Sequence, residues 1–475
     1  MSELATTITT GARGELAAEA AAWRRLGRPA GGRAGGSAGG WPWRDIGVAA
    51  VLVLLAALVY APLALRLAHG AFALYDNLGF DFDPTRTLAT LVGTPADRQG
   101  FKHPFMVLLR PLVWPFLAAG FTPLQAAGLV MAGFGALLVA VVYGFLRACG
   151  IGRPEAGALG LLFLVGGTPI FTAIIVETYG PAAFCMALVW LIARRRMDDP
   201  ARWRPARLVV AAVVFGITIT NVMQPVIAEA MVAWRRARLA ATAGRLVGFG
   251  LALGLLVAVL ALAIWPDGIW AAIRHPLTAA REVYWLQTKG ERTGIGGVLA
   301  TFFGYSFVSP GFTVIRLPEG VDMLDFRAPI LGPVGVAALA LWIGFWGVGA
   351  VAGLRHPGYR PVACGLAVAL LANLLLHLDY QFRGSLYLYS AHLHFLIFAL
   401  GAGLAPWLTG ARWRWRGAYI GVVLVLAGLT GADNIAAARD FVTRFDVVRV
   451  VPPCAGPCAR PVAPGSPSTV TAPGG

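Results

Sequence analysis

The fold of this 475-residue chain is decided first by residues 46–66, IGVAAVLVLLAALVYAPLALR. This stretch has the length of about 20 apolar residues that crosses a bilayer as a helix, and similar apolar runs recur as far as residue 430. The chain is 58% hydrophobic and only 13% charged, with a mean hydropathy of +0.70. A single soluble core does not bury this much apolar surface, so the surplus must face lipid. The sequence therefore predicts an all-α, polytopic membrane protein.

Arginines indicate which ends of the spans face the cytoplasm. The formal net charge is +16, and the arginines cluster in short segments between apolar runs, as the positive-inside bias requires. The charge therefore reports membrane topology and does not indicate nucleic-acid binding. Residues 1–45 hold one arginine cluster and lack the apolar core of a signal peptide, so they are predicted to form a disordered cytoplasmic tail.

About eleven membrane spans are predicted from apolar length and these clusters. They form a core over residues 46–430, with outside loops at 67–103 and 266–328, the second of which has room for a short helix. Because the number of spans is odd, residues 431–475 are predicted to form an extracytoplasmic tail. The predicted spans are 46–66, 125–146, 156–176, a fourth that follows Gly180 and ends at Arg194, two short spans within 208–234 that turn near Asn221, then 246–265, 330–352, 361–377, 391–408 and 418–430.

An apolar segment at 104–118 follows the first outside loop but is interrupted by Pro104, Pro111 and Pro115. At about 1.5 Å per residue it is too short to cross about 30 Å of hydrocarbon. It is therefore predicted to be an interfacial helix.

Two cysteines in the C-terminal tail support this topology. Cys454 and Cys458 are closely spaced, and an extracytoplasmic compartment would oxidise them to a small disulfide loop. The alternative is two free thiols in a disordered end. Cys149, Cys185 and Cys364 lie in or beside apolar spans and are predicted to be packing residues.

One carboxylate, Glu177, lies where the third and fourth spans join. Only about fourteen apolar residues separate Tyr179 from Arg194, which gives about 21 Å of helix against about 30 Å of hydrocarbon. Glu177 is therefore predicted to be recessed below the outer surface. A recessed carboxylate requires a water-filled cavity, a cation or a proton, and the alternative is a glutamate in an ordinary turn directed at headgroups.

The first outside loop also carries an acidic run, made of Asp76, Asp81 and Asp83. Asp83 followed by Pro84 also fits a helix start, with the aspartate as N-cap and the proline at the first helical position. A capping carboxylate still presents its second oxygen to a ligand.

Cationic side chains follow in the same loop. Lys102 and His103 precede Pro104, and the His-Pro pair also fits the start of the interfacial helix. Lys102 and His103, with Arg110 further on, would supply donors at the depth of lipid phosphates. Acids and cations at one interface would suit a base that acts beside an anionic lipid.

The last outside loop is rich in hydrogen-bonding and aromatic groups. An interfacial belt would explain Tyr380 and Tyr387, whereas Arg383 has the geometry to bind phosphate bidentately. The loop leads into His392, inside an apolar stretch where a histidine is not expected. Three more hydrogen-bonding aromatic residues lie in this loop and at its two ends, namely His377, Tyr389 and His394.

These features together resemble the GT-C superfamily, integral-membrane glycosyltransferases that use polyprenyl-phosphate sugars. The shared pattern is an acidic first outside loop, a His-Pro pair that opens an interfacial helix, an acidic residue between spans three and four, and a long loop after span seven. It covers roughly residues 46–265 and is similar to the protein mannosyltransferases and the lipid A aminoarabinose transferases. The Asp-Glu pair common in protein mannosyltransferases is absent, since Asn77 follows Asp76, which argues against protein mannosylation.

The resemblance implies a GT-C-like fold and a transfer of sugar from a polyprenyl-phosphate donor in the membrane to an acceptor glycan, lipid or protein. The catalytic base would be Asp76, Asp81 or Asp83, and Glu177 would be the second acidic residue. The donor phosphate and substrate would be bound by Lys102, His103, Tyr179, His377, Arg383, Tyr389 and His392.

The same resemblance implies an active site on the extracytoplasmic face of the bacterial inner (plasma) membrane. It requires no cofactor, and a divalent metal stays an open alternative because no His/Asp spacing here is diagnostic of one.

Two other classes of function remain as alternatives. A membrane transporter or lipid flippase would carry charges midway along its spans and often repeats its halves, and neither feature is evident in the sequence. A non-catalytic membrane scaffold would need neither a recessed acid nor a histidine-rich outer face.

Overall fold

The computed structural model describes most of the helical part of the chain. The described ranges are 42–69, 84–93, 103–199, 203–234, 239–264, 293–316, 322–379 and 386–447, with a few single residues between them. Cys454 and Cys458 lie outside the described residues, as do most of the predicted N-terminal and C-terminal tails.

The first half of the chain is helical throughout its described part. Its helices are α1 Trp43–Leu67, α2 Pro84–Val92, α3 Arg110–Ala118 preceded by a 3-10 helix Pro104–Leu109, α4 Pro123–Ala148, α5 Arg153–Leu164, α6 Gly167–Ile174, α7 Tyr179–Asp198, α8 Arg204–Ile217, α9 Met223–Trp234 and α10 Leu239–Ile264.

The second half adds five helices and one small sheet. Its elements are α11 Ile295–Leu299 with a π-helical turn Ala300–Tyr305, β1 Gly311–Arg316, β2 Asp322–Ile330, α12 Pro333–Arg355, α13 Arg360–Asp379, α14 Leu386–Gly401 with a 3-10 helix Ala402–Leu408, and α15 Trp413–Val447. The polytopic helical architecture is confirmed. The antiparallel pair β1–β2 is an addition to the all-α prediction. It overlaps the end of the predicted loop 266–328, and β1 carries the aromatic and β-branched residues typical of strands.

Seven described helices are long and apolar enough to cross a membrane, and the bent pair α5–α6 makes an eighth. The predicted fifth and sixth spans correspond to α8 and α9, which have 14 and 12 residues against the roughly 20 needed to cross. The fourth corresponds to α7, whose last turns carry Arg194, Arg195 and Arg196. The described helices therefore do not reach the predicted eleven spans.

Several predicted boundaries can be compared with the described helices. The interfacial segment does open at Pro104, α2 begins at Pro84, and the break near Asn221 is a 3-10 turn, Ile219–Val222. The last helix extends to Val447, beyond residue 430, where the predicted eleventh span ends. At about 1.5 Å per residue this 35-residue helix is about 50 Å long, which exceeds the hydrocarbon thickness.

The three described cysteines differ in their surroundings. Cys185 is buried and Cys149 is partly buried, in agreement with a packing role. Cys364 is exposed, so its predicted packing role is wrong. It lies on α13, a membrane-spanning helix, on a face that no other described helix covers.

One end of the bundle is joined by buried ion pairs. Asp45 at the start of α1 accepts hydrogen bonds from Arg147 Nε at 3.1 Å and Arg153 Nε at 2.9 Å. Glu155 on α5 pairs with Arg416 Nε at 2.6 Å. These contacts link α1, α4, α5 and α15, and they bring together arginine clusters that the sequence assigns to one face of the membrane.

A second buried ion cluster gives a stability prediction. Arg196, which is 5% exposed, and Arg207 both bind the carboxylate of Glu229. Replacing Glu229 by leucine is expected to lower the free energy of unfolding by about 3–5 kcal/mol, because it leaves buried cations without a counter-charge. Thermal unfolding in detergent micelles measures this loss.

The matched control for that variant is Asp198→Asn. Asp198 makes an exposed ion pair with Arg194 at 2.8 Å, and removing such a pair is expected to cost less than about 1 kcal/mol. Equal effects of the two substitutions would show that the cluster at Glu229 does not stabilise the bundle.

The third predicted span is bent by 59° between α5 and α6. Backbone carbonyls released by the bend find partners on other helices: Tyr60 Oη donates to Leu164 O at 2.6 Å, and Asn434 Nδ2 donates to Val165 O at 2.7 Å. Backbone groups at membrane depth require such partners. All eight residues of α6 are buried, so the bent span ends inside the protein, three residues before Glu177.

Candidate active site

Glu177 lies in the tight connection between α6 and α7 and is 8% exposed. Its Oε2 accepts a hydrogen bond from the backbone N–H of Thr178 at 2.8 Å and a longer one from Thr87 Oγ1 at 3.4 Å. The carboxylate is therefore oriented by donors within the protein.

Thr87 connects this carboxylate to the first outside loop. It lies in the first turn of α2, which begins at Pro84, directly after Asp83 in the sequence. The start of α2 is therefore about one helical turn from the contact with Glu177. Asp83 itself lies outside the described residues, and so do Asp76, Asp81, Lys102 and Arg383.

His103 and Arg110 are described, and both bond to backbone carbonyls. His103 Nδ1 bonds to Ile217 O at the end of α8, and Arg110 Nε donates to Thr90 O at 2.6 Å. A proton on Nδ1 that is held by a carbonyl sets the tautomer of the neutral ring. These bonds attach the interfacial segment to α2 and α8, next to Glu177.

Four of the sequence-predicted residues form one aromatic cluster, namely Tyr179, His377, Tyr389 and His392. The ring of Tyr179 is 5.4 Å from that of His392 and 6.1 Å from that of Tyr389. His377 stacks on Tyr389 at 4.7 Å and is 6.4 Å from His392. Because Tyr179 follows Glu177 by two residues, the cluster adjoins the carboxylate. The structure thus assembles residues from α7, α13 and α14 at one place.

His392 is the member of the cluster in which both ring nitrogens lack a hydrogen-bond partner among the described residues. It is 3% exposed. Its backbone is held in place, because Gln224 Nε2 donates to His392 O at 2.7 Å while Gln224 Oε1 accepts from Trp190 Nε1 at 3.0 Å. Buried polar groups normally have partners, which makes this ring a candidate ligand-binding group.

Three residues near the site are absent from the sequence prediction: Thr87, Thr218 and Asn221. Asn221 is 1% exposed, and within the described part of the chain neither its amide atoms nor Thr218 Oγ1 has a hydrogen-bond partner. Both residues flank the break between α8 and α9, beside the carbonyl that bonds His103. Asn221 could have been identified from the sequence, because a polar amide in an apolar stretch is costly. No feature of the sequence indicated a role for Thr87.

The described residues contain no group of three or more His, Cys, Asp or Glu side chains that could hold a metal ion. The carboxylates of the first outside loop are not among them.

The fold and this site define a polytopic membrane protein with a buried carboxylate and a histidine-tyrosine cluster at one end of its bundle. No family model matches the chain, and no curated protein matches it. Similar solved structures include ArnT from Cupriavidus metallidurans bound to undecaprenyl phosphate, with a TM-score of 0.48, 14% identity, and coverage of 87% of this chain and 79% of ArnT.

The oligosaccharyltransferase AglB from Archaeoglobus fulgidus, in complex with an inhibitory peptide and a dolichol-phosphate, is also similar. Its TM-score is 0.46 with 14% identity, over 84% of this chain and 56% of AglB. An oligosaccharyltransferase from Archaeoglobus fulgidus in the apo form has a TM-score of 0.45 with 12% identity, over 85% of this chain and 56% of that chain. This chain thus spans about half the length of AglB.

Proposed function

We propose that this chain is an integral-membrane glycosyltransferase that moves a sugar from a polyprenyl-phosphate donor to an acceptor. The observation that carries the proposal is the contact between the buried Glu177 and the helix of the first outside loop, beside the cluster that contains His392. The residue pattern shared with the GT-C superfamily supports the same reaction class.

In the proposed reaction a first-loop aspartate removes the proton of an acceptor hydroxyl. The acceptor oxygen then bonds to the anomeric carbon as the bond between that carbon and the phosphate oxygen breaks. Polyprenyl phosphate leaves with the bonding electrons, and direct attack inverts the anomeric centre. Glu177, oriented by Thr87 and Thr178, is proposed to position the acceptor, because correct orientation of reacting groups lowers the barrier.

The leaving phosphate gains negative charge during this step and requires preorganised donors. Lys102, His103 and Arg383 are proposed to supply positive charge. His392 is proposed to donate one hydrogen bond, since its ring nitrogens have no partner among the described side chains and backbone groups. Tyr179, His377 and Tyr389 are proposed to form the wall against which the sugar lies.

The active end is proposed to face the extracytoplasmic side of the bacterial inner membrane. The ion pairs of Asp45 and Glu155 with arginines lie at the other end of the bundle, and arginine-rich ends remain in the cytoplasm.

Labelling of single introduced cysteines, in a background without native cysteines, tests this orientation. An impermeant thiol reagent applied to intact cells is expected to label sites near residues 90, 290 and 440 and to leave sites near 198, 240 and 414 unlabelled. Labelling of the sites near 198, 240 and 414 would show that the bundle has the opposite orientation, with the proposed site on the cytoplasmic face.

The proposed reaction is tested by incubating the purified protein with a panel of polyprenyl-phosphate sugars, radiolabelled in the sugar, and membrane extract as acceptor. Transfer of label from one donor to a new product, with release of polyprenyl phosphate, is expected. If no donor is consumed, yet the protein moves labelled lipid across liposome bilayers, the proposal is overturned in favour of a flippase.

A further inference from the structure

A groove that is separate from the candidate active site lies on the lipid-facing side of the bundle, between α12 and the 3-10 helix after α14. Its volume is about 610 Å³, and its walls are mostly apolar. Val348 and Val351 form one wall and Leu404 and Trp407 the other. Val348 is 59% exposed, so the groove faces the lipid that surrounds a membrane-spanning helix.

The groove is rigid because the two elements beside it are in backbone contact. A Cβ on Gly349 would lie 1.7 Å from Gly401 O, and one on Gly403 would lie 2.6 Å from the Cα of Gly353. Only glycine allows backbones to approach this closely. Trp407 is fixed as well, since its indole N–H donates to Ala352 O at 2.9 Å. The groove therefore exists before any ligand enters it.

One end of the groove carries a cation. Arg355 is the last residue of α12 and lines the groove, and none of the ion pairs or hydrogen bonds among the described residues involves its guanidinium group. Nearby, Thr409 Oγ1 donates to Gly150 O at 3.2 Å, which places this end with the arginine-rich end of the bundle. An apolar slot that ends at a membrane-interface arginine matches an acyl chain that carries an anionic headgroup.

We propose that this groove binds one phospholipid of net negative headgroup charge. Its acyl chains lie along Val348, Val351 and Leu404, and its phosphate pairs with Arg355. The proposal is independent of the glycosyltransferase reaction, because it uses the opposite end of the bundle and none of the residues of the candidate active site.

Native mass spectrometry of the full-length protein, released from detergent micelles, tests the proposal. Phosphatidylglycerol and phosphatidylcholine with identical acyl chains are titrated separately. The wild-type protein is expected to retain one phosphatidylglycerol more tightly than phosphatidylcholine. Arg355→Gln is expected to weaken the phosphatidylglycerol complex about fivefold, the size of one arginine contact with an anionic lipid, and to leave phosphatidylcholine binding unchanged.

A second variant tests the apolar part of the groove. A Cβ on Gly347 meets no atom within 4 Å, so Gly347→Phe fills the groove without disturbing the helix contacts. It is expected to abolish phosphatidylglycerol binding and to leave thermal stability equal to that of the control variant Gly344→Phe.

Two matched controls accompany these variants. Arg412→Gln removes the same charge outside the groove lining, and Gly344→Phe adds the same side chain to α12 at a position with equal free space. Both are expected to bind phosphatidylglycerol as the wild type does. The proposal would be overturned if the wild type retained the two lipids equally, or if Arg355→Gln and Arg412→Gln lost phosphatidylglycerol equally. It would also be overturned if the protein formed a dimer that retained no lipid, because a second copy of the chain would then occupy the groove.

Discussion

Conversion of the catalytic first-loop aspartate to asparagine is expected to lower the turnover number of the transfer reaction by roughly 10²–10⁴-fold, the usual contribution of a general base. The candidates are Asp76, Asp81 and Asp83. Asparagine keeps the volume of the side chain and removes its charge, so folding and lipid binding are expected to change little. Steady-state kinetics with the donor identified by the panel experiment measure the effect.

The control for this series is Asp440→Asn on α15, because Asp440 is an exposed carboxylate that pairs with Arg444 at 2.8 Å. Its turnover number is expected to equal that of the wild type. Full activity in all three first-loop variants would refute the proposed mechanism, because that mechanism assigns the base to one of these three aspartates.

Replacement of Glu177 by glutamine is expected to lower turnover by roughly 10²-fold, because a positioning group that loses its charge no longer aligns the acceptor. Glu177→Leu is expected to reduce turnover as well and, in addition, to lower thermal stability. It leaves the buried N–H of Thr178 and the hydroxyl of Thr87 without their acceptor, at a cost of about 1–3 kcal/mol for each unpaired group.

Glu155→Gln provides the matched control at the opposite end of the same bent span. Glu155 is also buried, and it pairs with Arg416, so its replacement is expected to reduce stability while the folded protein keeps its turnover number. If Glu177→Gln also lowered stability alone and left turnover intact, Glu177 would be a structural residue of the turn.

Some of the architecture could be predicted from local sequence. The first, second, seventh, eighth and ninth predicted spans match long helices, because an apolar run of about 20 residues has no other stable arrangement in lipid. Helix starts at Pro84 and Pro104 were readable for a similar reason, since proline at the first helical position removes no intrahelical hydrogen bond.

The bend between α5 and α6 was not predicted. Residues 156–176 were predicted to form one span, although Gly166, Gly167 and Pro169 interrupt its apolar run near the bend. The bend depends on Tyr60 and Asn434, which come from distant parts of the chain and supply hydrogen bonds to the carbonyls at Leu164 and Val165.

The candidate site was only partly readable. Glu177 and His392 were identifiable because ionisable groups in apolar stretches are costly and require a reason. The contact of Glu177 with Thr87, and the unsatisfied amide of Asn221, follow from packing between elements that are far apart in sequence.

The sequence by itself determined that this chain crosses a membrane several times and which arginine-bearing ends lie together. Both follow from local properties, the free energy of moving apolar side chains into lipid and the preference of arginine for one face. Only the tertiary structure decided that Glu177 meets the first-loop helix, that Tyr179, His377, Tyr389 and His392 form one cluster, and that Arg355 ends an apolar groove. The physical reason is that buried polar groups and close helix contacts are satisfied by partners from other helices, whose identity no local pattern encodes.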